Sequence, residues 1–304
     1  MSRTRNVMHS REIASPQRAV LVTGASTGIG RKITERLAAD GHFVYAGARK
    51  DSHLCSLGAM RNVQPLRLDV TNLQDIASAA ATVLKAGRGL YGLVNNAGVG
   101  TLGPIINGSD EEFDLVMAVN VYGPYRITKA FSRMIVAERG RIVTIGSISG
   151  VLAGANAGAY SMSKHAIEAF TDSLAEELEA LGVHVSIVEP GRFNTGIVNA
   201  AVERTGADPG VLDLSSCRQP NEVADAVADA LFETKPRRRY LVVSDEGEAR
   251  KTIKKQISRL VQLNEGHSST YDRDALIEML DEEFVKSRPR TSQASHMGAA
   301  SRPD

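Results

Sequence analysis

The 304-residue chain has no tryptophan, only two cysteines, and no apolar run approaching the roughly 18 residues that a bilayer crossing requires. Cys55 and Cys217 are too few for a disulfide framework or a sulfur-rich zinc site, and they suit a reducing compartment, here expected to be the cytoplasm. An excess of one charge is lacking as well: Lys and Arg number 36 against 35 Asp and Glu, a net charge of +1. No global field therefore recommends nucleic acid or an anionic membrane surface as the main partner. Among the histidines, His165 and His184 included, none is spaced with carboxylates or cysteines as metal ligands are, so no metal is expected. Residues 1–17, without the apolar centre of a secretory signal, and residues 287–304 hold too little apolar material to order themselves and read as disordered extensions. Arg3, Arg5 and Arg11 leave an organelle transit peptide as the alternative for the first of these.

From residue 18 onward, short β-branched apolar runs alternate with amphipathic stretches. RAVLVT, HFVYAG, VQPLRLD, LYGLVNN, GRIVTIGS, VHVSIVEP and RRYLVVS are the strand candidates, several of them apolar almost throughout, as strands buried on both faces must be. Helix patterns lie between them at Ile33 to Ala39, Leu73 to Leu84, Phe113 to Ala137, Tyr160 to Leu181 and Glu222 to Phe232. Alternation of this kind predicts an α/β fold: one doubly wound, seven-stranded parallel sheet over residues 18–245 with helices on both faces. Residues 246–286 carry apolar positions at helical spacing without strands, a C-terminal helical extension. The run KPRRR at 235–239 reads as the solvated edge of the last strand, and no G-x-S-x-G elbow surrounds Ser147.

The first strand passes directly into TGASTGIG, residues 23–30, and then into a helix. Glycines there permit a sharp turn and close approach, and the amides at the helix start suit a pyrophosphate. The spacing Gly24, Gly28, Gly30 is not the commonest dinucleotide fingerprint, and glycine turns of this kind also occur without a nucleotide. At the end of the second strand, where an acid would select a free ribose 2′-hydroxyl, the chain has Ala48 and Arg49. A guanidinium there favours the 2′-phosphate of NADP(H), with NAD(H) the alternative if Arg49 is merely solvated.

Tyr160 and Lys164 lie four apart in GAYSMSKHAIEAF, so they share one helix face. Together with TGASTGIG, LDV at 68–70, NNAG at 95–98, Asn120, Ser147 and PG at 190–191, they resemble the short-chain dehydrogenase/reductase family, most of all its hydroxysteroid and retinol dehydrogenase-like branch. The resemblance covers residues 18 to about 245 and implies the Rossmann fold. It implies that Asn120, Ser147, Tyr160 and Lys164 form a catalytic tetrad, with Asn120 holding a proton-relay water. It also implies that Thr23, Gly24, Ser26, Gly28, Ile29 and Gly30 hold the pyrophosphate and ribose, Arg49 the 2′-phosphate, and Asp69 with Val70 the adenine. Asn96, Ala97 and Gly98 would border the nucleotide, and Pro190, Gly191 and Thr195 the nicotinamide. One position departs from the pattern: members preferring NADP(H) often carry a basic residue where this chain has Thr27.

Hydride transfer at a carbinol carbon requires a proton to move at the same oxygen, and a side chain must carry it. A free tyrosine titrates near 10, so working near neutrality asks for about 4 kcal/mol of phenolate stabilisation. A lysine ammonium about 4 Å away at an effective dielectric near 20 contributes about that much, making Lys164 the expected tuner of Tyr160. The loops after Gly98, Ser147 and Gly191 follow carboxyl ends of strands and should face the substrate. Ile105, Val151, Leu152, Phe193 and Ile197 lie in them, and with Ser147 and Tyr160 predict a site for a lipophilic alcohol or ketone under a long, glycine-bearing lid. Expected partners are that small molecule and further copies of the chain, as a homodimer or homotetramer. The competing reading is a catalytically silent nucleotide sensor or scaffold on the same fold.

Overall fold

The computed structural model describes residues 17–206, 214 and 217–287. The two terminal extensions read from the sequence lie almost wholly outside that range, as does most of the segment between residues 206 and 217. All seven predicted strands form one parallel sheet in the order β3-β2-β1-β4-β5-β6-β7. They are β1 (Ala19–Val22), β2 (Phe43–Ala48), β3 (Val63–Arg67), β4 (Gly92–Asn95), β5 (Arg141–Ile145), β6 (His184–Pro190) and β7 (Arg239–Val242). The helices are α1 (Gly28–Ala39), α2 (Asp51–Gly58), α3 (Leu73–Ala86), α4 (Asp110–Met117), α5 (Gly123–Ala137), α6 (Gly158–Glu179), α7 (Ile197–Thr205), α8 (Asn221–Phe232), α9 (Glu246–Asn264) and α10 (Arg273–Ser287).

The period-2 alternation of strand side chains divides the core into two layers. Val20 and Val22 of β1 and Val44 and Ala46 of β2 pack with Ile33, Leu37, Val223 and Val227, on the side of α1 and α8. Their neighbours Leu21 and Tyr45 face the other way, toward Ile76, Ile127, Phe131 and Leu178 of α3, α5 and α6. Each fully buried Leu, Ile or Val of these layers contributes about 2 kcal/mol by leaving water. Local signals set the helix ends: the Asn72 side chain accepts from the amides of Gln74 and Asp75 to start α3, and Gly87 at φ 65° ends it.

Three elements differ from the pattern reading. The stretch Phe113 to Ala137 is not one helix: a single π-helical turn, Ala118–Tyr122, separates α4 from α5. The segment after Gly191, expected to be a loop, contains α7. The short α2 had no amphipathic run long enough to announce it. The chain divides into two units, one reaching Ile253 and one beginning at Lys254, so the division falls within α9. No helix among the described residues is long and apolar enough to cross a membrane.

Candidate active site

The strand order reverses between β1 and β4, and the carboxyl ends of the strands open there into a cavity of about 1250 Å³. That exceeds the roughly 300–1,000 Å³ of ordinary small-ligand sites and leaves room for two ligands side by side. At one end stands the glycine turn. Gly24 has φ 62°, and a Cβ on Gly30 would lie 2.3 Å from both Asn96 Nδ2 and Gly24 O, so neither position takes a side chain without strain. Asn96 Nδ2 donates to Thr23 O (2.8 Å) and Gly24 O (3.1 Å) and pins the turn to the end of β4. Thr23 is buried and does not line the cavity: its hydroxyl donates to Val94 O and accepts from the amides of Asn96 and Ala97. It therefore staples β1 to β4 from beneath, a supporting position rather than the ligand contact expected of it. Thr27, ahead of α1, makes no side-chain cap, which leaves the amides of Gly28, Ile29 and Gly30 facing the cavity with the positive end of the helix dipole.

Ser26, Arg49, Asp69, Val70, Ala97 and Gly98 line the same end. Arg49 Nη1 lies 3.7 Å from Asp69 Oδ2. Burial pushes the Asp69 carboxyl up, but the Thr71 hydroxyl and amide and the Arg49 charge outweigh it and hold the group below its ordinary value. The residues present thus fit a dinucleotide: an uncapped helix start for the pyrophosphate, a glycine turn free of side chains, and a guanidinium beside the second strand.

At the other end the predicted quartet is brought together only in part. Ser147, Tyr160 and Lys164 line the cavity; Asn120 does not. Asn120 sits in the π-helical turn, 1% exposed, with its amide fully engaged: Oδ1 accepts from Val99 N, and Nδ2 donates to Val99 O and Ser163 Oγ, at 2.9, 2.9 and 3.0 Å. Ser163 in turn donates to Tyr160 O, so Asn120 braces the loop after β4 against the first turn of α6. Asn120→Ala would strand the Val99 amide and carbonyl. An expected loss of about 1–3 kcal/mol follows, read as a lower urea midpoint with unchanged slope.

Ser147 combines two geometries. Its hydroxyl accepts from Ser149 N (3.1 Å), capping the short 3₁₀ turn Ile148–Gly150, and it also meets the Tyr160 phenol. The lysine behaves differently from expectation. Lys164 Nζ donates to Ile145 O at 2.8 Å, where β5 ends, and stands 5.7 Å from the centre of the Tyr160 ring. Burial pushes the phenol above its usual value, and the Ser147 hydrogen bond pulls it down. Burial likewise brings Lys164 down to about 8, Glu168 opposing it.

Pro190, Gly191 and Thr195 border the cavity, and so do Leu152, Phe193 and Ile197. Val151 does not: it follows the 3₁₀ turn, which carries its side chain into the interior, 4% exposed. Ile105 also fails to reach the cavity, because it lies against Gly158 at the start of α6 and is otherwise open to solvent. Ile148, Val198 and Leu214 complete the apolar wall instead. Arg204, on α7, was not anticipated. It lines the cavity and grips Glu112 of α4 through Nε (2.8 Å) and Nη2 (3.0 Å), holding that carboxyl below the usual range. The two residues are 92 positions apart, and no local pattern announces such a pair. Among the described residues no cluster of His, Cys, Asp and Glu could hold a metal ion.

This strand order, with a glycine turn feeding a helix start across the switch point, defines a doubly wound fold of the dinucleotide-binding class. Within that class, the chain belongs to the short-chain dehydrogenase family, whose model matches residues 18–206. It is 35% identical over 201 residues to the mitochondrial D-beta-hydroxybutyrate dehydrogenase of Rattus norvegicus, covering 62% of this chain and 58% of that one. To retinol dehydrogenase 5 of Mus musculus it is 40% identical over 185 residues, covering 59% and 58%. The chain thus spans less than two thirds of the length of these relatives. Among solved structures, a short-chain dehydrogenase from Streptomyces avermitilis superposes with a TM-score of 0.69 at 28% identity, covering 89% of this chain and 97% of that one.

Proposed function

We propose that the chain is an NADP(H)-dependent oxidoreductase that interconverts a lipophilic secondary alcohol and its ketone, or a retinoid-like alcohol and its aldehyde, with Tyr160 as acid and base. One observation carries this reading: Ser147, Tyr160 and Lys164 share a cavity wall with the uncapped start of α1 at its far end, so a reacting carbon and a dinucleotide can meet there. The amides of Gly28 to Gly30 and Ser26 would hold the pyrophosphate, Arg49 the 2′-phosphate, Asp69 and Val70 the adenine, and Lys164 the ribose hydroxyls. Asn96, Ala97, Gly98, Pro190, Gly191 and Thr195 would enclose the rest. When bound, the dinucleotide supplies or accepts the hydride.

Tyr160 hands its phenolic proton to the carbonyl oxygen in reduction and recovers one from the alcohol in oxidation, while the Ser147 hydroxyl steadies that oxygen. Ile148, Leu152 and Ile197 give the substrate end an apolar stretch beside polar groups such as Arg204, which supports a largely lipophilic substrate. Screening NADPH oxidation against steroids, retinoids and small ketones tests the whole reading; no turnover across the panel would favour a silent sensor on this fold. Cofactor preference has its own test. Arg49→Ala is expected to weaken NADPH binding about tenfold while leaving NADH within about twofold, as measured by fluorescence titration. Equal effects on both would remove Arg49 from the role.

A further inference from the structure

Along the substrate end of the cavity lies α7, nine residues long, and its hold on the rest of the molecule is narrow. Of its residues only Ala201 is buried, and a helix this short does not persist in water on its own propensity. It is bracketed by Gly196 at φ 72° and Gly206 at φ 65°, and a Cβ at either would meet nothing within 4 Å, so neither joint is packed against a neighbour. Ile197, Val198, Ala200 and Ala201 nevertheless form part of the cavity wall. Something outside the helix must keep it there.

Two contacts do so, one at each end. At the first turn a Cβ on Gly100 would stand 3.3 Å from Ile197 Cγ1 and 3.4 Å from Ile197 O, so the missing side chain lets α7 close onto the loop after β4. At the last turn Arg204 makes a fork: Nε donates to Glu112 Oε1 (2.8 Å), and Nη2 to Glu112 Oε2 (3.0 Å) and Gly100 O (2.5 Å). Nη1 turns back onto Ala200 O (3.2 Å), which ties the guanidinium to its own helix. Thr101 completes the clasp by donating its hydroxyl to Glu112 Oε2 (3.1 Å). Glu112 lies in the first turn of α4, where the helix dipole favours its negative charge. The two side chains are 30% and 22% exposed, and a two-point, partly shielded guanidinium–carboxylate pair is the kind whose strength survives contact with water.

We propose that Arg204 is a positioning residue for the substrate: its clasp on Glu112 and Gly100 latches α7 over the substrate end of the cavity, and release of that latch, with turning at Gly196 and Gly206, is the motion that admits substrate. In the latched form α7 presents its apolar side chains to the same cavity that Ser147 and Tyr160 line. In the open form that wall is gone, and a lipophilic substrate loses much of the surface that would hold it. All three guanidinium nitrogens are engaged by Glu112, Gly100 and Ala200, so Arg204 acts through the helix it fastens. Apparent affinity then scales with the fraction of molecules in the latched form.

The effect on substrate rests on the dehydrogenase reading, whereas the latch itself does not, and two measurements keep them apart. Hydrogen exchange followed by mass spectrometry on the full-length protein should show the amides of α7 exchanging at least about tenfold faster in Arg204→Ala, with β5 and α5 unchanged. Steady-state reduction of cyclohexanone, a steroid ketone and retinal by NADPH should show KM for the accepted carbonyl raised about fivefold, with kcat and the KM for NADPH within about twofold. Arg204→Lys, which keeps the charge and loses the fork, should recover part of both effects, and Glu112→Ala should reproduce them, the double variant being no worse than either single one. Exchange of α7 equal to wild type, exchange quickened equally throughout the chain, a fall in kcat with KM unchanged, or additive effects in the double variant overturns the proposal. If the wild type reduces none of the three carbonyls while α7 still exchanges faster in Arg204→Ala, the latch stands and the dehydrogenase reading falls.

Discussion

Tyr160→Phe is expected to lower kcat at least about 10³-fold, with dinucleotide affinity kept within about threefold. The substitution deletes one oxygen and leaves the ring, so the wall of the cavity and the first turn of α6 stay as they are. What disappears is the group that gives a proton to the substrate oxygen, and water at the half-buried position replaces it poorly. Burial keeps the phenol above its ordinary value although Ser147 pulls it down, so the residue is held in its acid form, ready for reduction. The measurement pairs single-turnover kinetics with NADPH fluorescence titration. Retained turnover would place the proton elsewhere; loss of both turnover and binding would mean that Tyr160 shapes the cavity instead of reacting in it.

The second large effect concerns the glycine turn. Gly30→Ala is expected to cost about 3 kcal/mol of stability and to weaken dinucleotide binding at least about tenfold. Alanine is the better helix former by about 1 kcal/mol, so propensity alone predicts a gain. Contact decides otherwise: the added methyl would stand 2.3 Å from Gly24 O and Asn96 Nδ2, and the first of these is backbone that cannot swing aside. Opening the turn to make room breaks the Asn96 bonds to Thr23 and Gly24 and tilts the amides of α1 away from the cavity. Gly154, where a Cβ meets nothing within 4 Å, supplies the contrast, and Gly154→Ala should change stability by less than about 0.5 kcal/mol. Equal urea midpoints for Gly30→Ala and wild type would refute the argument.

Much of the fold is legible in the sequence. All seven strands stand where the β-branched runs are, because a strand covered on both faces must be apolar nearly throughout. The one long pattern that misled, Phe113 to Ala137, is apolar at helical spacing on both sides of Asn120; a π-helical turn inserts a residue without disturbing that spacing visibly. Leu152 and Val151 are neighbours of similar apolarity, yet one lines the cavity and the other is buried behind it, since the 3₁₀ turn after Ser147 decides which side faces out.

From the sequence alone came the order of the strands along the chain, the glycine turn at the end of the first, and the shared helix face of Tyr160 and Lys164. These follow from local periodicity, which dictates the direction each side chain takes from its own backbone. Only the packed sheet and its helices decided that Lys164 reaches the carbonyl of Ile145, that Asn120 spends its amide on Val99 and Ser163, and that Glu168 meets Arg239. Such partners are distant in the chain, and they are chosen by which polar groups the packed layers strip of water at the same place.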